Sequence, residues 1–436
     1  MAKKSRLQAP QGMHDVLGED QPYFKRIWDA VNEIAHFYAF SKIDTPIAEY
    51  SELYEKGTGL TTDIVEKQMY AFKTKGGDAL ALRPEFTPGI VRAFIQHGMF
   101  SWPQPVKLYT YGPLFRYEHP QAGRYRQFNQ FDFEVFGEQA AAIDAQVIQI
   151  FYTILKELKF GHLVVEVNSI GDYQCRPYYK KVLVNFLRPR QYSLCADCRR
   201  RIKENPLRVL DCKEEKCQRV KSQAPQVIDH LCEECKTHFK SLLEFLDEAD
   251  LPYHLDPYLV RGLDYYTKTV FEIFSEGSIQ QDQEGSQTVQ RSALVGGGRY
   301  DALVRLMGGK DIPAVGAAAG VERIIALMKE KQLPAAEEPA PKVFLAQLGD
   351  LPKKKSLKLL EELRKAKINI AEALGRDSLR TQLARADKLE VAYTLILGQR
   401  EVLDNTIVIR KMDTGEQETV KMEKVVEALK QRLRKS

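Results

Sequence analysis

The sequence predicts an α+β protein: a core built on an antiparallel sheet, a mostly helical insert within that core, and a small C-terminal α/β domain. Three observations carry this expectation. In the first 171 residues a long helical pattern runs into an extended stretch, two strand patterns flank a polar loop, and an apolar helix follows, which is the order of an antiparallel layer covered by helices. All seven cysteines then fall between positions 171 and 256, among many basic residues and two further helical stretches. Beyond a proline-rich connection, three strand patterns alternate with helical ones. At ~150 residues per domain, 436 residues accommodate all three parts.

Within residues 23–40, Phe24, Ile27, Trp28, Val31, Ile34 and Ala35 recur at helical spacing, and residues 41–50 turn extended around Pro46. Residues 106–137 read as two strands about a polar loop, and 140–160 as an apolar helix, which completes a first core segment, 1–171. The insert is expected over 172–256. Core sequence resumes over 257–332, with two strand patterns separated by the polar stretch 275–291 and a helix at 321–329. LPAAEEPAP supplies a linker at 333–341. In residues 342–436 the strand-like KVFLAQLG, VAYTLILG and NTIVIR alternate with helices at 355–366 and 422–433.

Hydrophobic residues at 44% and charged residues at 28% exclude wholesale disorder and fibrous repeats. No window approaches the ~18 apolar residues of a bilayer span, and the basic N-terminal stretch has no apolar signal region, so a soluble cytoplasmic protein without membrane association is expected. The net charge of +5 is uneven: residues 341–436 carry +7 and the first 340 carry −2. A basic tail of this kind suits a polyanionic partner, although a solvated basic face has the same composition.

The densest chemistry lies in FRYEHPQAGRYRQFNQFDFE, residues 115–134. With 114–118 as a strand, period two places Arg116 and Glu118 on one face and Phe115 and Tyr117 on the other. With 128–136 as its partner, Phe128, Gln130, Asp132, Glu134 and Phe136 share a face opposite Asn129, Phe131, Phe133 and Val135. One face is apolar and the other is a ligand surface, to which the loop adds Arg124 and Arg126. An exposed salt-bridged hairpin accounts for the charges; a nucleotide site accounts also for the aromatics among them. GGGRYD lacks the Gly-Lys-Ser/Thr ending of a phosphate loop, and GAAAG lacks the G-x-G-x-x-G dinucleotide spacing. The small residues before Arg323 instead let a helix N-terminus approach anionic phosphate closely.

This hairpin closely resembles motif 2 of the class II aminoacyl-tRNA synthetases, and the chain resembles the histidyl-tRNA synthetase family, in its bacterial form, from end to end. QGMHDVLGED resembles the family's N-terminal segment, RPEFTPGIVRA its amino-acid-binding strand and helix, and LVRGLDYYTKTVFEI and GGGRYDALV its two histidine signatures. AVGAAAGVERI resembles motif 3, and the long helix with the Pro46 strand fits motif 1, the class's dimer interface. The class I sequence HIGH is absent. Phe86 stands where the family often has glycine, which puts the local backbone in question but leaves Glu85 and Thr87 intact.

The resemblance implies a class II antiparallel catalytic core and a homodimer that uses L-histidine, ATP with Mg2+, and tRNA-His. It assigns the α-phosphate to Arg116 and Arg261, the γ-phosphate to Arg124 and Arg323, the adenine amino group to Glu118, and base stacking to Phe128. Histidine binding falls to Glu85, Thr87, Arg116, Gln130, Glu134, Arg261, Tyr265, Tyr266 and Tyr300. Of these, Glu134 and Tyr266 would meet the imidazole, while Glu85 and Thr87 would meet the ammonium group. In a strand, one of the adjacent tyrosines would have to face away. Gln121 and Arg126 would read the tRNA acceptor end, and the C-terminal domain, with GQREVLDNTIVIR, the anticodon. Inactive histidine-binding paralogues typically lose LVRGLDYY, the motif arginines and the C-terminal domain, all of which this chain retains.

The cysteines form Cys195-x-x-Cys198, Cys212-x4-Cys217 and Cys232-x-x-Cys235, with Cys175 left over. The two C-x-x-C pairs supply four soft ligands, enough for a structural Zn2+ at Cys195, Cys198, Cys232 and Cys235; a metal-free module fits the pattern as well. NPLRVLDCK between them resembles part of the family's insertion domain, which is associated with tRNA contact.

Overall fold

The structure, a computed structural model, describes residues 7–59, 62–118, 123–275, 280–281, 287–288, 293–337, 340–375 and 378–434. It divides into two compact units, Met1–Ala336 and Glu337–Ser436. None of the described helices is long and apolar enough to cross a membrane.

The first unit is built on an eight-stranded sheet. In chain order its strands are β1 (Ser41–Lys42), β2 (Val106–Phe115), β3 (Gln127–Phe136), β4 (Leu163–Ser169), β5 (Tyr253–Leu255), β6 (Thr267–Ser275), β7 (Val295–Arg299) and β8 (Ala314–Gly320). The order across the sheet is β1-β2-β3-β8-β7-β6-β4-β5. Both edge pairs are parallel and the inner pairs are antiparallel, as an α+β core requires. The helices used below are α1 (Gln21–Phe37), α2 (Thr87–Gln96), α3 (Ala141–Glu157), α4 (Arg176–Leu187), α5 (Ala196–Glu204), α6 (Glu215–Lys221), α7 (Glu233–Glu248) and α8 (Val321–Glu330).

The alternation read in β3 is realised. Phe131, Phe133 and Val135 are buried in a core with Ile27 and Val31 of α1, Phe151 and Ile154 of α3, and Ile324 of α8. Phe131 stacks on Phe151 at 5.5 Å between ring centroids, and Phe133 meets the same ring edge-on. The opposite, even-numbered face is thereby left for the site. β2 ends at Phe115, so Arg116 and Glu118 follow the strand rather than lie within it.

Arg299, inside one of the histidine signatures, serves the fold rather than a ligand. Fully buried, it donates from Nε (3.0 Å) and Nη2 to Asp144 of α3, and Asp144 also accepts from Thr269 (2.6 Å) and meets His238 Nε2 at 2.8 Å. Burial alone would raise the Asp144 carboxyl; Arg299 and His238 outweigh it and hold the group below its ordinary value. Asp144→Ala would leave the buried guanidinium only Asp301 (3.1 Å) and two backbone carbonyls and is expected to cost about 3 kcal/mol, read as an earlier urea midpoint for the first unit. Replacing Arg299 with methionine in the same variant should recover much of the loss; an unchanged midpoint in the single variant would remove the pair from the fold's stability.

The insert leaves the sheet after β4 and returns through α7, which packs beside α3, with Phe239, Leu242 and Leu246 in the sheet's core. Where the sequence suggested two helical stretches, four helices form, α4 to α7. The cysteine grouping also differs from expectation. Cys195 and Cys198 converge with Cys212 and Cys217, whereas Cys232 and Cys235 converge with Cys175 and Asp172. The reason is that each C-x-x-C motif opens a different helix. Cys195 caps α5, where the returning 206–217 segment closes on it, while Cys232 precedes α7, whose packing on α3 draws it to the base of the insert.

The second unit carries a five-stranded sheet ordered Ile370–Glu372, Val343–Gln347, Tyr393–Leu397, Thr406–Lys411 and Gln417–Lys421. The three expected strands lie at its centre. Val343, Leu345, Leu395 and Leu397 pack with Leu359, Leu363, Val425 and Leu429 into a core of their own.

Candidate active site

On the even face of β3 the first unit opens a cavity of about 400 Å³. Its lining includes Glu85, Thr87, Arg116, Glu118, Arg124, Phe128, Gln130, Asp132, Arg261, Tyr265, Tyr266, Glu322 and Arg323. β3 contributes by period two, α2 and α8 by their first turns, and the segment before β6 by a turn. That turn corrects one expectation. Tyr265 and Tyr266 precede the strand Thr267–Ser275, so the alternation that would send one of them away does not apply and both face the cavity.

One part of the site is acidic. Glu85 accepts from Thr58 (2.5 Å) and from the Tyr265 hydroxyl (3.0 Å). Glu134 accepts from Thr87 (2.7 Å) and from the Tyr300 hydroxyl, and lies beneath the lining together with Tyr300. Gly316, opposite Glu134 on β8, makes room for this carboxylate, because a Cβ there would come within 1.5 Å of Oε2. Burial raises Glu85, and Thr58, Arg116 and Tyr265 offset it only in part. Glu134 rises to about 7, chiefly by burial, with the Tyr300 and Thr87 hydrogen bonds holding it down and Glu85 pushing it up. Asp132, which sequence reasoning put on this face without a role, is 2% exposed, and its Oδ1 has no hydrogen-bond partner among the described residues. Burial and then Glu134 and Glu85 drive it well above the usual carboxylate range. Three buried acids repelling one another favour a bound cation.

Another part is basic. Arg116 donates to the Pro84 carbonyl at 2.8 Å, and its guanidinium lies 5.3 Å from the centre of the Phe128 ring. Arg323, in the first turn of α8, donates to the Ala293 carbonyl at 2.7 Å. Burial lowers its pKa and the positive charges of Arg124 and Arg116 lower it further, while the carboxylates of Glu118 and Glu272 offset this only in part. Arg261 pairs with Glu272, while its Nε is buried without a partner among the described residues. Burial opposes the Arg261 charge, and Glu272 with Tyr266 and Tyr265 more than restores it. Gly296 of β7 is the matching glycine here: a Cβ would meet Arg261 Nη2 at 2.3 Å. The glycines of GGGRYD and AVGAAAG thus clear space for an arginine and a glutamate from neighbouring elements.

Arg126 does not line the cavity. Its guanidinium covers the Tyr117 ring at 3.9 Å and its Nε donates to the Glu118 carbonyl at 3.1 Å. Gln121 lies outside the described residues. The N-terminal segment braces this region, with the Arg126 amide donating to the Gly12 carbonyl at 2.7 Å and His14 against Tyr125 at 4.4 Å. Sequence reasoning missed one wall altogether: Asp63, Arg208, Asp211 and Lys213. Arg201 and Arg208, which follow β4 in the chain, both bind the Asp63 carboxylate, closing their segment onto residues that precede α2. The signal was the charged run in NPLRVLDCK, whose partner Asp63 is remote in sequence. Glu322 was also missed: both of its oxygens accept from the Asn129 amide (2.9 and 2.8 Å), which ties α8 to β3.

The sequence profile of the histidyl-tRNA synthetase family matches residues 12–324, and that of the anticodon binding domain matches residues 342–432. The chain is 42% identical over 426 residues to a histidine–tRNA ligase of Dehalococcoides mccartyi, covering 98% of this chain and all of that one. It is 44% identical over 416 residues to that of Aquifex aeolicus, covering 95% and 99%. The crystal structure of the apo Staphylococcus aureus histidyl-tRNA synthetase is similar, with a TM-score of 0.79 at 33% identity over 97% of this chain and 99% of that one. With its acidic and arginine-rich cavity, its two histidine signatures and these full-length matches, the chain belongs to the histidyl-tRNA synthetase family.

Proposed function

We propose that this cavity activates L-histidine with ATP and passes the histidyl group to the 3′-terminal adenosine of tRNA-His. The observation that carries this is the division of one cavity into an acidic part, lined by the buried Glu85 and Asp132 with Glu134 beneath them, and a basic part lined by Arg116, Arg124 and Arg323. An amino acid presents a cation and a nucleoside triphosphate an anion, so each half of the cavity suits one substrate.

The histidine ammonium lies with Glu85, Asp132 and Thr87. The Thr87 hydroxyl spends its proton on Glu134 and keeps its lone pairs to accept. Glu134 accepts from one imidazole nitrogen. Tyr266, whose phenol burial pushes up to about 12 against the opposing Arg261, stays protonated and donates to the other. Gln130, Tyr265 and Tyr300 hold this set in place. Phe128 stacks on adenine, Glu118 accepts from its amino group, Arg116 and Arg261 meet the α-phosphate, and Arg124 and Arg323 meet the γ-phosphate. The histidine carboxylate attacks the α-phosphorus and the α,β bond breaks to release diphosphate. The nucleophile is already an anion, so the residues align the reactants and neutralise charge rather than remove a proton. Magnesium arrives with ATP as part of that substrate, and Glu118 and Glu272 are oxygen donors of the kind it takes.

In the second step the ribose hydroxyl of the tRNA end attacks the histidyl carbonyl and AMP leaves. The loop bearing Gln121 and Arg126 meets the acceptor end, and residues 342–436 the anticodon. Residues 1–171 and 257–332 form the catalytic core, 172–256 the insert and 333–341 the linker. The chain acts in the cytoplasm as a homodimer through the motif 1 region; the exposed Phe37, Ile47 and Tyr50 support that surface. The test is charging of tRNA-His transcript with labelled histidine, where acid-stable, base-labile product is expected and its absence with active adenylation would overturn the second step.

Glu134 also sets a pH dependence. Its raised value means the apo protein favours the protonated acid, so stability from this group falls as pH rises from the ordinary glutamate value towards 7. Binding of neutral imidazole needs the carboxylate, so histidine affinity is expected to fall as pH drops from 8 to 6, by calorimetry. Glu134→Gln should bind weakly with a flatter profile. A wild-type profile no steeper than the variant's would remove Glu134 from imidazole recognition.

A further inference from the structure

The two cysteine clusters in the insert are separate from the cavity, and no step of the reaction uses them. In the first, the sulfurs of Cys195, Cys198, Cys212 and Cys217 all lie within 4.8 Å of one another; in the second, so do Asp172, Cys175, Cys232 and Cys235 by their ligand atoms. We infer that the insert holds two structural zinc ions, one in a four-cysteine site and one in a site of three cysteines and an aspartate.

The spacing carries this. A metal–sulfur distance of about 2.3 Å at tetrahedral angles gives sulfur–sulfur edges of about 3.8 Å, and with oxygen at about 2.1 Å a sulfur–oxygen edge of about 3.6 Å. The Cys195–Cys212 sulfurs are 3.8 Å apart and the Cys175–Cys235 sulfurs 3.9 Å, while Cys175 Sγ lies 3.5 Å from Asp172 Oδ1. These lengths exceed a disulfide bond, and all seven cysteines are free. A polynuclear iron–sulfur cluster would have to sit between the sulfurs and push them farther apart. Backbone amides already point at the ligand sulfurs: Cys195 N to Cys217 Sγ (3.2 Å), Cys198 N to Cys195 Sγ (3.3 Å) and Asp172 N to Cys175 Sγ (3.4 Å). Such bonds stabilise thiolate charge, the form a metal takes.

Each ion has a defined mechanical task. The four-cysteine site draws together the N-terminus of α5, the 206–212 segment and α6, and so fixes the strip from Arg208 to Lys213 that walls the cavity. The second site joins the start of the insert, just after β4, to the start of α7 where the chain returns to the core. Beside it, Arg176 Nη2 donates to the carbonyls of Gly171 (3.1 Å) and Tyr266 (2.5 Å), which links that junction to a histidine-binding tyrosine.

The test is elemental analysis of the untagged full-length protein, purified under reducing conditions from zinc-supplemented cells. About two zinc per chain are expected, about one in Cys198→Ser/Cys217→Ser and in Cys175→Ser/Cys235→Ser, and none when all four are changed. Growth on cobalt should give tetrahedral visible bands and sulfur charge-transfer absorption in both doubly substituted variants, stronger where the four-cysteine site remains. If a variant fails to fold, thiol counting on the wild type decides instead: the cluster cysteines should resist a thiol reagent until a chelator is added. A wild-type count near one overturns the two-site inference, iron in place of zinc overturns the metal assignment, and no metal with thiols indifferent to chelator overturns both.

Discussion

Arg261→Ala is expected to slow histidyl-adenylate formation about a hundred- to a thousandfold while weakening histidine binding far less. The guanidinium is half-buried, held charged by Glu272, and lodged over the bare backbone of Gly296, so it is fixed before substrate arrives. Charge builds on the α-phosphate only as the carboxylate approaches, which makes a preset cation worth more in the transition state than in the ground state. Single-turnover adenylation and equilibrium dialysis with histidine separate the two effects. An unchanged rate with only a raised histidine requirement would make Arg261 a substrate-binding group and nothing more. Arg261→Lys should restore little, since one ammonium cannot serve both Glu272 and the phosphate.

Truncation after Glu338 should leave ATP–diphosphate exchange near the full-length rate and reduce tRNA charging efficiency about a thousandfold, the lower end of the gap between specific and non-specific nucleic-acid binding. The cut falls just past the boundary of the first compact unit, and the segment removed has its own core around Val343, Leu395 and Leu429. It also takes away a charge excess of +7, so the residual charging should depend less on salt. Equal charging by both proteins would exclude residues 342–436 from tRNA recognition.

Alternation read within β3 was followed by the structure, whereas the strand read over 114–118 ended at Phe115, before Arg116 and Glu118. Period two in residues 128–136 separated Phe131 and Phe133 from Gln130, Asp132 and Glu134 because one face of β3 had to be buried against α3. The strand pattern ended correctly at α8, so Arg323 could be set on a helix N-terminus. Long-range pairing was not legible. Nothing local in GGGRYD says that its arginine reaches Asp144, and nothing in NPLRVLDCK says that Arg208 meets Asp63. The cysteines failed for the same reason: spacing identified ligand pairs, but the packing of α7 against α3 decided which pairs met. Tyr265 and Tyr266 were misjudged through a boundary shift, since strand alternation cannot be applied to residues that precede the strand's start at Thr267. Short elements such as Ile370–Glu372 offered too few residues for any period to register.

Whether one cavity joins histidine to ATP is read out by ATP–diphosphate exchange with each amino acid supplied in turn. Exchange is expected with histidine alone, lost in Arg261→Ala and weakened in Glu134→Gln. Histidine binding by calorimetry without exchange for any amino acid would contradict it, and would make the cavity a histidine sensor rather than the seat of adenylation.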